Sequence, residues 1–148
     1  MAVHSIEMSR DEILALCERR EASINRLDVD ALMKDYAEEC VVESPTAGGI
    51  VRGRAVVRQI FQRWFDTFKD LHVKTVRVLV DDHRAVQVLD VRGTDLGGFL
   101  GLPATRKPFR ISLVFLTEFE GRRIARELRV YDFTGVLIQV GHLKAKPA

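Results

Sequence analysis

Asp132 is the residue whose setting points most directly to chemistry. It ends a strand-like stretch, Ile124 to Phe133, and shares the alternation of Leu128 and Val130. On that parity its carboxylate stands among apolar side chains, a setting that raises a carboxyl pKa and makes it a better general base. The same residues allow another reading, in which parity breaks at the strand end and Asp132 is solvated or caps Gly135. Arg20 is the second candidate. It falls between Ile13 and Ile24 inside an apolar helical stripe, where a charge is least expected. Its guanidinium either snorkels to water or finds an acceptor, which could be a protein carboxylate or a substrate oxygen. Arg92 and Asp95 form the third candidate. From the residues alone they read as a strand-end ion pair of little energetic weight. His4, His72, His83 and His142 stand at no metal-ligand spacing, and Cys17 and Cys40 read as buried thiols, so no metal is expected.

The elements that must hold these residues follow from hydrophobic periodicity. Ser9-Arg10-Asp11-Glu12 is a capping box. It opens a helix whose stripe is Ile13, Leu16, Cys17, Ile24 and Leu27. Asp28 caps a second helix with Val29, Leu32, Met33 and Tyr36 on its buried face. Val41 to Glu43 reads as a short strand, stopped by Pro45 and Gly48-Gly49. After Gly53 a third helix carries Val56, Val57, Ile60, Phe61, Trp64, Phe65 and Phe68, a face wide enough to need a sheet. From Leu71 the period changes to two. The expected strands run to a turn at Asp81–Arg84, then Ala85–Thr94, Phe109–Phe119 and Ile124–Phe133. A glycine-rich loop lies between Thr94 and Phe109. Three N-terminal helices and about four long antiparallel strands predict an α+β domain, a curved sheet with helices on one face. Long twisted strands curl into a cone, whose mouth can hold a small apolar ligand. Tyr36, Phe61, Trp64, Leu113 and Phe115 are its expected wall, with Arg92 and Leu128 as further substrate-facing residues.

The 148 residues fit one domain, 1–148, in which folding buries roughly 70% of the unfolded surface. A net charge of +2 gives no long-range pull on a polyanion, so nucleic acid is not an expected partner. No apolar run approaches a membrane span, and Met1 to Arg10 holds no long apolar core of a signal peptide. Two cysteines without a disulfide framework fit a reducing cytoplasm. Lys144 to Ala148 reads as a frayed tail.

Two stretches carry a family resemblance. Gly93-Thr94-Asp95-Leu96-Gly97-Gly98-Phe99-Leu100-Gly101-Leu102-Pro103-Ala104-Thr105 is similar to the pattern G-T-H-x-G-x-F-x-G-x-P-x-T-G-K. Glu127 to Gly141 is similar to E-x-W-x-x-x-D-x-x-G-L-x-x-Q-L-G. Both resemble the SnoaL-like polyketide cyclases of the nuclear transport factor 2-like superfamily, which also holds ketosteroid isomerases and limonene epoxide hydrolases. The sequence departs from the pattern at Asp95, which replaces a histidine, Leu128, which replaces an aromatic, and Arg106, which replaces a glycine.

The resemblance implies a cone-shaped fold and a cofactor-free reaction on a small hydrophobic carbonyl compound. Asp132 matches the acid/base aspartate. Arg20 falls where isomerases place an oxyanion-donating tyrosine, and Asp95 could share the proton traffic. Ser44, before Pro45, takes the place of the isomerase base, which argues against the usual isomerase apparatus. Two alternatives remain: an epoxide hydrolase built on Arg92, Asp95 and another carboxylate, and a binding module without chemistry. Many relatives dimerise through the outer sheet face. Here Leu113, Phe115 and Phe119 alternate with Val114 and Leu116, so both faces are apolar and a homodimer is expected.

Overall fold

The computed structural model describes residues 7–145, so His4 and the end of the tail lie outside the described residues. Helix α1 (Arg10–Asn25) starts at the capping box. The Glu12 amide donates to the Ser9 hydroxyl at 3.2 Å, and the Ser9 amide donates to the Glu12 carboxylate at 3.3 Å. Its buried stripe is Ile13, Leu16, Cys17, Arg20, Ser23 and Ile24, with the arginine inside. Asp28 caps α2 (Val29–Met33) by accepting from the Ala31 amide at 3.1 Å. Strand β1 (Tyr36–Ser44) is much longer than the three residues expected, and β2 (Gly49–Arg52) pairs back on it after a short 3₁₀ turn at Pro45–Ala47. Helix α3 (Arg54–Thr67) follows, then β3 (His72–Asp81), β4 (Arg84–Thr94), β5 (Pro108–Glu120) and β6 (Arg123–Tyr131).

The architecture is α+β, as expected, and two details differ. The sheet has six strands in the order β2-β1-β6-β5-β4-β3, and β1 pairs with β6 in parallel. A parallel neighbour needs a long crossover, which the intervening elements supply. The sheet is curved and does not close, and α1 packs on β3 while α3 packs on β1. The last strand also stops early, because Asp132 starts a fourth helix, α4 (Phe133–Gln139).

One irregularity decides which side chains meet the helices. Glu118 pairs with Arg126, but Phe119 pairs with Ile124, so Ala125 is an extra residue in β6. Such a bulge reverses the side-chain alternation beyond it. Ile124 is buried, yet after the bulge the inward residues are Glu127 and Arg129, while Leu128 and Val130 face out at 36% and 52% exposure.

The core beneath the sheet is rich in aromatic contacts. Trp64, Phe68, Phe99 and Phe109 meet at ring separations from 4.7 Å for Phe68–Phe109 to 6.4 Å for Trp64–Phe109. The glycine-rich loop is held against the end of α3. The Gly97 amide donates to the Thr67 carbonyl at 2.9 Å, and a Cβ at position 97 would lie 2.1 Å from the Asp66 carbonyl oxygen. Arg106, where the family pattern has glycine, adopts φ +61° and so carries a side chain in left-handed backbone. Among the described residues no helix is long and apolar enough to cross a membrane.

Candidate functional site

Between α3 and the inner sheet face lies a cavity of about 60 Å³. Phe61, Trp64 and Phe65 of α3 form one wall. Ile111, Leu113 and Phe115 of β5 form the facing one, with Val73 and Val91 beside them. The polar members of the lining are Ser44 of β1 and Arg129 and Tyr131 of β6. Four of the expected wall residues therefore line it: Phe61, Trp64, Leu113 and Phe115.

Arg129 belongs to a buried charged cluster behind the apolar wall. Glu127 is its centre, with no side-chain exposure. One carboxylate oxygen forms an ion pair with Arg20 Nη2 at 2.9 Å and accepts from the Thr117 hydroxyl at 3.2 Å. The other accepts from the Tyr36 hydroxyl at 2.6 Å and from Arg129 Nε at 3.0 Å. Arg129 Nη2 also donates to the Tyr36 oxygen at 3.2 Å. The guanidinium of Arg20 lies 4.2 Å from the Phe115 ring centre, and that of Arg129 lies 4.4 Å from the Phe61 ring centre.

Electrostatics fix the protonation of this cluster. Burial alone would raise the Glu127 pKa, but Arg20, Arg129 and the Tyr36 hydrogen bond outweigh it and hold the carboxyl below its ordinary value. Burial and the neighbouring Glu127 push the Tyr36 hydroxyl well above its ordinary range, so it stays a neutral donor. Burial opposes the charge on both arginines. Glu127 and Tyr36 reverse that for Arg20, Tyr36 and Glu127 reverse it for Arg129, and both stay charged.

A second polar group edges the same cavity. The Tyr131 hydroxyl lies 2.8 Å from the Thr46 hydroxyl and 3.4 Å from that of Ser44. The Tyr131 ring stands edge-on to Trp64 at 5.6 Å. Arg129 and Tyr131 are two residues apart on one strand, so their side chains project from the same sheet face.

Several expected site residues are placed elsewhere. Asp132 is exposed and caps α4, accepting from the Gly135 amide at 2.8 Å. A Cβ on residue 135 would sit 2.2 Å from that carboxylate, so the Asp-x-x-Gly spacing in this chain is a helix-start device. The bulge at Ala125 is what takes Asp132 off the inner face. The same reversal turns Leu128 outward, away from the cavity. Asp95 is fully buried but lies outside the cavity lining. It accepts from the amides of Gly98 and Thr105 and from the Thr105 hydroxyl, and it pairs with His142 Nε2 at 2.9 Å. Asp95 thus ties the loop to the segment after α4. Arg92 is exposed on the sheet and meets no catalytic carboxylate. With Asp95 and Arg92 both outside the cavity, the carboxylate–arginine–carboxylate arrangement of an epoxide hydrolase is not assembled. Of the two readings of Arg20 the structure shows the buried one, with a protein carboxylate as acceptor; Arg20 and Tyr36 both contact Glu127 and do not line the cavity. Sequence reasoning missed Glu127 and Arg129. The available signal was Arg20 itself, a buried cation in need of an acceptor, and Glu127 is that acceptor.

A curved sheet with helices over its concave face and an apolar cavity between them defines an α+β cone of the ketosteroid isomerase-like type. Solved structures of the same shape include TsrD from Streptomyces laurentii, 26% identical, with a TM-score of 0.81 over 93% of this chain and 100% of that one. AclR from Streptomyces galilaeus is 23% identical, with a TM-score of 0.82 over 94% of this chain and 87% of that one. A protein of ketosteroid isomerase-like fold from Catenulispora acidiphila is 18% identical, with a TM-score of 0.70 over 85% and 92% of the two chains. No curated protein matches the sequence. The pattern of the SnoaL-like polyketide cyclases matches residues 15–140, and the chain belongs to that family.

Proposed function

We propose that the chain is a cofactor-independent enzyme that moves a proton on a small hydrophobic carbonyl compound, in the manner of a polyketide cyclase or an isomerase. The observation that carries this reading is the Arg129 guanidinium, fixed by Glu127 and Tyr36, at the wall of an otherwise apolar cavity. A donor that is already oriented and shielded from water stabilises a developing oxyanion strongly. The substrate oxygen faces Arg129 and the Tyr131 hydroxyl, which is hydrogen-bonded to Thr46 and near Ser44; both donate to the developing enolate oxygen while solvent hydroxide takes the α proton and water returns one to the same carbon. Asp132 has no part in this scheme.

Deuterium uptake α to the carbonyl of small enolisable ketones such as 2-tetralone, followed by NMR in D₂O, tests the reading. Exchange is expected above the buffer rate and to fall on the order of 10²-fold in Tyr131→Phe. Exchange at the buffer rate with every such ketone would reject the enzyme reading. One observation favours the binding-module alternative: among the described residues the cavity lining holds no carboxylate or imidazole.

The chain pairs with a second copy through the outer sheet face. Ile50, Leu116, Leu128 and Val130 are exposed there. Glu43, Glu118 and Arg126 stand beside Ile50, Leu116 and Leu128 on one shallow groove. A two-fold pairing brings these opposite charges together. Light scattering at micromolar concentration reads the mass directly.

A further inference from the structure

The buried cluster does not balance its own charge. It holds two guanidiniums, one carboxylate and a neutral phenol, a net charge of +1 inside the fold. One oxygen of Glu127 accepts two hydrogen bonds, and the other accepts one from Thr117 and faces Arg20 as an ion pair, so the carboxylate is already engaged on both sides. Arg129 spends Nε on Glu127 and Nη2 on Tyr36, and among the described residues Nη1 makes no hydrogen bond. The residue is 6% exposed and lines the cavity. A nearly buried cation whose unused donor keeps access to an apolar hollow is best satisfied by an anion. The polar neighbours on the lining, Ser44 and Tyr131, bring no negative charge.

We infer that the cavity is a binding site for a small organic oxyanion, an anionic oxygen on a compact apolar body, with that oxygen on Arg129 Nη1. This rests on the cavity being the ligand site argued above, and it adds the charge of the occupant. The apolar walls take the hydrocarbon part, Phe61 and Phe115 flank the guanidinium, and the guest neutralises the surplus charge. A neutral ketone becomes such a guest only once it is enolised, so the same charge favours enolate over ketone.

Isobutyrate and isobutyramide are matched probes, nearly equal in shape and different in charge. Calorimetric titration of the intact protein in chloride-free buffer is expected to show the acid binding at least roughly tenfold more tightly than the amide. Arg129→Gln should erase that preference. It leaves Arg20 and Glu127 one to one, so the variant should still unfold cooperatively. Arg129→Lys should keep the preference in part, which guards against a folding defect in the first variant. Equal affinity for acid and amide overturns the anion assignment while leaving the cavity a ligand site. A preference that survives in Arg129→Gln overturns the role of Arg129. If neither probe binds, the anion assignment and the reading of the cavity as a ligand site both fall.

Discussion

On its inner face β6 presents Glu127, Arg129 and Tyr131, and on its outer face it presents Leu128 and Val130. The charged pair is buried and the aliphatic pair is exposed, the reverse of the usual two-sided strand. The inner face tolerates charge because every oxygen of Glu127 is hydrogen-bonded and the arginines stack on phenyl rings. Among the described residues the outer face keeps Leu116, Leu128 and Val130 exposed. Polarity therefore does not identify the inside of a sheet when buried charges are hydrogen-bonded and aliphatic side chains are left exposed.

The largest expected effect comes from breaking the inner face. Glu127→Gln leaves two guanidiniums without their carboxylate and should cost about 3–5 kcal/mol, read by urea unfolding. The pH dependence follows from the lowered Glu127 pKa. A carboxyl depressed in the folded state contributes stability above its unfolded pKa, about 4.3, and loses it as pH falls through the folded value. The native protein should lose stability below about pH 4 with a slope that Glu127→Gln lacks.

The end of the strand gives a smaller effect. Asp132→Ala should cost about 1 kcal/mol through the lost cap of α4, and Asp132→Asn should cost almost nothing, because asparagine caps equally well. Neither should change ligand binding in the cavity. Lost turnover in Asp132→Asn at an unchanged melting temperature would erase the distinction between the two faces.

The outer face should matter least to the fold. Val130→Lys is expected within about 0.5 kcal/mol of the native stability of the single chain. It should nonetheless halve the mass seen by light scattering, because it places a charge on the apolar patch. An unchanged mass would show that this face is not where two copies meet.

Much of the fold was legible because its signals are local. The Ser9–Glu12 box, the Asp28 cap and the apolar face of α3 each depend on residues within a few positions of one another. The length of β1 was not legible, since Glu38 and Glu39 are exposed and break the apolar pattern. The cavity walls on α3 and β5 could be read from periodicity. The charged cluster could be read only in half: Arg20 was visible as an anomaly, but Glu127 lies 107 positions away in sequence, and nothing local links the two.

By itself the sequence determined the three N-terminal helices, the caps at Ser9 and Asp28, the long strands and the family, because each rests on spacing along the chain. Only the tertiary structure decided which face of β6 looks inward. A single extra residue, Ala125, reverses the alternation, and its place is set by pairing with β5 across the sheet. That reversal puts Arg129 at the cavity and Asp132 in water, and pairing between strands leaves no mark in the order of residues along one of them.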